Sequence, residues 1–123
     1  MNLHPYLFFT GNCAEAMEFY HGIFGGKLDI TPHADGKGTM HADLSGGDIT
    51  FFASDSDRTT PYETCFISMS LSGNDSEKLT NAFNKLAEGG EITSELKTEV
   101  WGDTFGTLTD KFGVDWMVNI SAN

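Results

Sequence analysis

The stretch "NCAEAMEFYHGIFGG", residues 12–26, decides how this chain is read. Asn12 is placed as a helix N-cap, and Ala16, Met17, Tyr20, Ile23 and Phe24 recur on one helical face before Gly25 and Gly26 stop the helix. The same pattern returns in "DSEKLTNAFNKLAEGG", residues 75–90: Leu79, Ala82, Phe83 and Leu86 form an apolar stripe, and Gly89 and Gly90 end it. The two glycine pairs lie 64 positions apart, and Phe19 and Phe83 share that offset.

Working outward, each helix has one strand-like run before it and three after it. "PYLFF" (5–9) leads into the first helix, and "KLDITP" (27–32), "GTMHADLS" (38–45) and "DITFFAS" (48–54) follow. "TCFISMSLS" (64–72) leads into the second, and "EITSELKTEV" (91–100), "DTFGTLT" (103–109) and "VDWMVNIS" (114–121) follow. The order βαβββ twice over predicts an α+β protein built from two tandem modules, residues 1–55 and 64–123, within a single domain of residues 1–123. The polar, proline-containing "SDSDRTTPYE" (54–63) joins them. Two such units side by side predict a cupped mixed sheet with the helices on its outer face.

Composition narrows the partners. Seven Lys and Arg against eighteen Asp and Glu give a net charge of −11, which opposes nucleic acid and anionic membrane surfaces. The opening "MNLHPYLFFTGN" has neither a basic leader nor a span-length apolar run, which predicts a cytoplasmic protein. Cys13 and Cys65 have no C-x-x-C spacing and read as small core residues.

With this architecture in place, "PYLFFTGNCAEAMEFY", "MHADL", "FFASD" and "WGDTFGTLTDKFGVDWMVN" resemble the vicinal oxygen chelate superfamily, which includes glyoxalase I, extradiol dioxygenases and bleomycin-resistance proteins, and within it the PhnB-like subfamily. The resemblance implies a cupped sheet, usually in a homodimer, with up to four metal ligands on the first and last strands of the modules. Carried over residue by residue, those positions fall on Pro5, at or near Phe51, at or near Phe66, and on Met117. Divalent catalytic metals take imidazole or carboxylate donors, which none of these four supplies. No metal site and no cofactor are therefore expected at the family's ligand positions.

The remaining candidates follow from alternation. In "MHADLS", Met40, Ala42 and Leu44 are assigned to the helix side, and His41, Asp43 and Ser45 to the other. A three-residue "GGD" turn would bring His41 beside Phe51, where it is placed to act as hydrogen-bond donor or general base; a histidine held within the sheet is the plainer alternative. By the same alternation His4 faces away from the Pro5 ligand position, and His21 and His33 are solvated. In "FISMSLS", Ser68 and Ser70 point away from the helix as polar anchors, with no motif that would make them nucleophiles. In "VDWMVNI", Trp116, Val118 and Ile120 are core, and Met117 and Asn119 line the cup. The "DKFG" turn reads as turn chemistry, with Gly113 at positive φ and its charges solvated. Trp101 is an aromatic wall or a core residue, and Arg58 is a surface residue or the partner of an anionic ligand.

These residues predict a mostly apolar cup of Phe9, Phe51, Phe66, Trp101 and Met117, with His41, Ser68, Ser70 and Asn119 as its polar groups. It suits a small, partly aromatic or amphiphilic ligand. Two alternatives stay open: a metal-dependent lyase, isomerase or dioxygenase using His4 and His41 with Asp43, and a dimeric interaction protein with a vestigial pocket. A phosphonate site would require basic groups that the cup lacks, and no glycine-rich nucleotide loop supports a methyltransferase.

Overall fold

The computed structural model describes residues 1–47, 49–56 and 67–122. It comprises two compact units, Met1–Pro61 and Tyr62–Asn123. The first contains β1 (Tyr6–Phe9), α1 (Cys13–Phe24), β2 (Lys27–Pro32), β3 (Thr39–Ser45) and β4 (Phe51–Asp55). Its sheet order is β1-β4-β3-β2, with β1 parallel to β4 and the other neighbours antiparallel. The second repeats this with β5 (Met69–Gly73), α2 (Ser76–Ala87), β6 (Glu91–Thr98), β7 (Thr104–Thr109) and β8 (Asp115–Ile120), in the order β5-β8-β7-β6. The α+β class and the twofold βαβββ order read from the sequence are both present.

Each helix packs its apolar face on one face of its own sheet. Cys13, Ala16, Met17 and Tyr20 of α1 are fully buried with Ala42, Leu44, Phe51 and Ala53 of the sheet. Phe83 and Leu86 of α2 are buried in the second unit, as are Leu108, Trp116, Val118 and Ile120 of its sheet. Full burial of side chains this size contributes about 1.5–3 kcal/mol each, so these two cores hold the units together.

The glycine pairs do more than stop helices. A Cβ on Gly26 would meet the Ser45 carbonyl oxygen and the Gly47 amide, and one on Gly90 would meet the Thr109 carbonyl and the Asp110 backbone. At both places the chain leaving the helix passes hard against the next strand, which only glycine permits.

Four local expectations are corrected. Asn12 makes no side-chain cap bond to α1. Asp55 takes that place: the Phe9↔Asp55 pairing sets its carboxylate where the chain turns into the helix, and Oδ1 accepts the Gly11 and Cys13 amides at 2.7 and 3.0 Å. Its Oδ2 accepts the Thr39 amide at 2.9 Å, so one anion ties β4, the helix entry and the start of β3 together. A full negative charge also suits a helix N-terminus better than a neutral amide.

Met40 does not join Ala42 and Leu44. Thr31 pairs with His41 but Pro32 with Thr39, so Met40 is an extra residue of β3, left 51% exposed, while Thr39, at 3%, takes the buried position. The β3–β4 pairing is Asp43↔Phe52 and Leu44↔Phe51, one residue away from the three-residue turn register. Since side chains alternate along a strand, that single step sends Phe51 to the helix and Phe52 to the opposite face.

Finally, Asp110 of the "DKFG" turn is buried, not solvated. It accepts the Phe112 and Val114 amides on Oδ1 and the Trp116 indole on Oδ2, while Gly113 does take a positive φ of 86°.

Candidate functional site

Paired residues in a sheet share a face, so the register defines what the first unit presents opposite α1. Tyr6 pairs with Phe52 across the parallel β1–β4 ladder, and Phe52 pairs with Asp43 on β3. Phe8 lies two residues beyond Tyr6, and His41 two residues before Asp43, so all five sit on the open face. Tyr6 and Phe8 are 40% and 55% exposed, large apolar surface for a sheet whose other face is so well packed.

Phe52 is the floor of this cluster. The His4 ring stands edge-on to it with centroids 5.3 Å apart, His41 tilts over it at 5.7 Å, and Tyr6 lies at 6.3 Å. Tyr6 in turn stacks on Phe8 at 5.0 Å. Such spacings are those of favourable aromatic pairs.

A polar row crosses the aromatic floor. The Tyr6 hydroxyl is 3.1 Å from His41 Nδ1, and His41 Nε2 is 3.8 Å from Asp43 Oδ2. With the imidazole proton on Nε2, facing the carboxylate, Nδ1 is free to accept the Tyr6 hydroxyl. Phenol, imidazole and carboxylate then stand in line beside the aromatic floor.

The structure redistributes the sequence candidates. His41 lies on the open face beside Phe52, not Phe51. Phe9 and Phe51 are 6% and 1% exposed on the α1 side, where Phe51 meets Tyr20 at 5.7 Å, so neither lines the open face. His4 is on the open face after all, against Phe52. Phe66, Cys65 and Arg58 lie outside the described residues. His21 is anchored through Nε2 to the Gly26 carbonyl at 3.0 Å.

In the second unit Ser70 pairs with Met117 and Ser72 with Asn119, on the face opposite α2 as expected. Asn119 Nδ2 donates to Asp103 Oδ2 at 3.0 Å, which fixes its amide. Thr107, also paired with Met117, shares a 2.6 Å hydroxyl bond with Thr93. Ser68 precedes β5 and is exposed, so the alternation read for it begins one residue too early. Trp101 is 62% exposed in the turn between β6 and β7 and packs into no core of its unit.

Tyr6, Phe8 and Phe52 were missed as open-face residues because "YLFF" and "FFASD" are apolar on both parities. The one polar signal, the Tyr6 hydroxyl, is what separates the faces.

The open-face positions of the outer and adjacent strands carry Tyr6, Phe52, Ser70 and Met117, and among the described residues no group of three or more His, Cys, Asp or Glu is arranged to hold a metal ion. His4, His41 and Asp43, the displaced set considered above, form no such group.

A model of the Glyoxalase/Bleomycin resistance protein/Dioxygenase superfamily matches residues 2–118. The chain belongs to this superfamily. Among its relatives is Protein YjdN of Escherichia coli, 28% identical over 98% of this chain and 95% of that one. Protein PA1353 of Pseudomonas aeruginosa is 38% identical, with a TM-score of 0.83 over 98% of both chains. A putative 3-demethylubiquinone-9 3-methyltransferase, PhnB protein, from Bacillus cereus has the same fold, with 24% identity and a TM-score of 0.76 over 98% of this chain and 100% of that one. The chain is thus a PhnB-like member of the glyoxalase superfamily in fold, and no specific activity comes with that placement. Among the described residues no helix is long and apolar enough to cross a membrane.

Proposed function

We propose that this glyoxalase-superfamily chain binds a small, partly aromatic organic molecule on the open face of its first unit. The observation that carries this reading is the aromatic cluster of the exposed Tyr6 and Phe8 and the half-buried Phe52, crossed by the polar row of Tyr6, His41 and Asp43. Flat apolar walls with a few fixed polar groups are the usual make-up of an organic ligand site. With eleven net negative charges, the chain favours a neutral or cationic ligand over an anionic one.

On this reading Ser70, Met117 and Asn119 form a second, more polar binding surface in the other unit, and both units act as one domain. A family model that spans both supports the single domain. We also read the protein as a cytoplasmic homodimer, which sedimentation at micromolar concentration tests.

The experiment for binding is amide chemical-shift mapping during titration with N-phenyl-1-naphthylamine, a neutral aromatic probe. Shifts centred on β1, β3 and β4 support the site. Saturable binding with shifts only elsewhere contradicts it.

A further inference from the structure

We infer that Tyr6, His41 and Asp43 form a proton relay, with the Tyr6 oxygen as the group that exchanges a proton with the bound ligand. This rests on the proposed binding face and adds a reaction class to it: acid–base catalysis on an aromatic ligand with an acidic hydrogen.

Tyr6 and His41 both border Phe52, at 6.3 and 5.7 Å, and Tyr6 also stacks on the exposed Phe8. A ligand ring laid on Tyr6 and Phe8 has the phenol hydroxyl at its edge. Behind the phenol, at 3.1 Å, is an imidazole nitrogen able to take its proton. Behind the imidazole, at 3.8 Å, is a carboxylate that favours the charged ring once it forms. Hydroxyl, imidazole and carboxylate in this order are the logic of a catalytic triad, with a phenol at its outer end. The His41 and Asp43 side chains are 40% and 30% exposed, so the row is open to a ligand and to solvent.

The step balances without a further reactant. The Tyr6 oxygen forms a bond to the ligand proton while the Tyr6 proton passes to His41 Nδ1. The electron pair of the broken ligand bond stays on the ligand, and the resulting imidazolium faces Asp43. Transfer of the imidazolium proton to water or buffer, or back to the product through Tyr6, restores the row. His4, across the Phe52 ring, and Asp29, paired with Asp43 across β2 and β3 and 3.7 Å from Lys27 Nζ, are the other titratable groups beside the row.

The probe is 5-nitrobenzisoxazole, an aromatic carbon acid that opens to a cyanophenolate when one C–H proton is removed and the N–O bond breaks. We expect turnover above a control of free imidazole and phenol at the same pH. Tyr6→Phe, which keeps the ring and removes only the hydroxyl, should lower kcat by at least about tenfold with KM unchanged, since positioned acid–base groups contribute about 10²–10⁴-fold. His41→Ala should lose kcat similarly and regain part of it with added imidazole, and Asp43→Asn should lower kcat alone. Glu77→Gln, in the first turn of α2 in the other unit, should leave the rate unchanged.

Turnover no faster than the control, or a kcat that survives both Tyr6→Phe and His41→Ala, overturns the relay. If Tyr6→Phe still binds N-phenyl-1-naphthylamine on β1, β3 and β4, the binding reading stands while the relay falls. If the wild-type protein binds no probe there, the binding reading itself has failed.

Discussion

Asp110 and Trp116 are joined inside the second unit: the carboxylate, 3% exposed, accepts the indole N–H at 2.9 Å. Its other oxygen accepts the Phe112 and Val114 amides at 2.9 and 3.1 Å, so one buried anion closes the turn and pins the core tryptophan. Bonds to a charged acceptor are worth more than neutral ones, and their donors are left unpaired when the acceptor goes.

Asp110→Asn is therefore expected to lower unfolding stability by about 2–3 kcal/mol, because the amide keeps one acceptor oxygen and turns its NH2 group toward the donors that the other carboxylate oxygen had served. Urea unfolding followed by tryptophan fluorescence measures this. A loss below about 0.5 kcal/mol would show that the turn does not depend on the charge.

The entry to α1 separates two candidate caps. Asp55→Ala removes the acceptor of the Gly11, Cys13 and Thr39 amides, and a loss of about 2 kcal/mol is expected. Asn12→Ala removes no side-chain cap bond and should cost under about 0.5 kcal/mol. Chemical denaturation of the two variants side by side decides the assignment, and the reverse ranking would return the cap to Asn12.

Gly26→Ala and Gly90→Ala should each destabilise by more than about 1 kcal/mol, since a methyl group meets strand backbone at both positions. Gly26 carries the added strain of φ +81°. Midpoints of thermal unfolding report the effect; unchanged midpoints would mean that the chain leaves the helices with room to spare.

The Cys13 thiol is pushed up from 9.0 to about 11, chiefly by burial and then by the nearby Asp55 charge, against a smaller opposing effect of the Thr39 hydrogen bond. The folded protein thus holds this proton where the unfolded chain has lost it. Its contribution to stability is complete below pH 9 and is lost as the pH rises from about 9 to about 11. Denaturant midpoints across that window should fall more steeply for the wild type than for Cys13→Ala, and parallel profiles would contradict this. Iodoacetamide should label Cys13 at pH 8 only on unfolding.

Element order was legible because it rests on period and punctuation: two helical stripes, two glycine pairs and alternating strands survive any single misreading. Facing was harder, because it turns on one residue of register. The "GGDIT" segment leaves the parity of Phe51 and Phe52 open, and the structure resolves it in favour of Phe52 on the open face. The extra residue in β3 is invisible to alternation and leaves Met40 outward. Asp55 and Asp110 looked like loop acids, since their partners are backbone amides that no side-chain pattern announces. Ser70, Met117 and Asn119 share one sheet face, as the clean alternation of polar and apolar residues in their strands predicts.

The central claim is that the open face of the first unit binds an organic ligand through its aromatic cluster. The most direct measurement is fluorescence titration of N-phenyl-1-naphthylamine into wild type and the Phe8→Ser, Phe52→Ser double variant, with circular dichroism confirming that the variant is folded. Removing two aromatic contacts should weaken binding by at least about tenfold, a loss of about 1.4 kcal/mol. An affinity unchanged within about twofold, in a folded variant, would contradict the account.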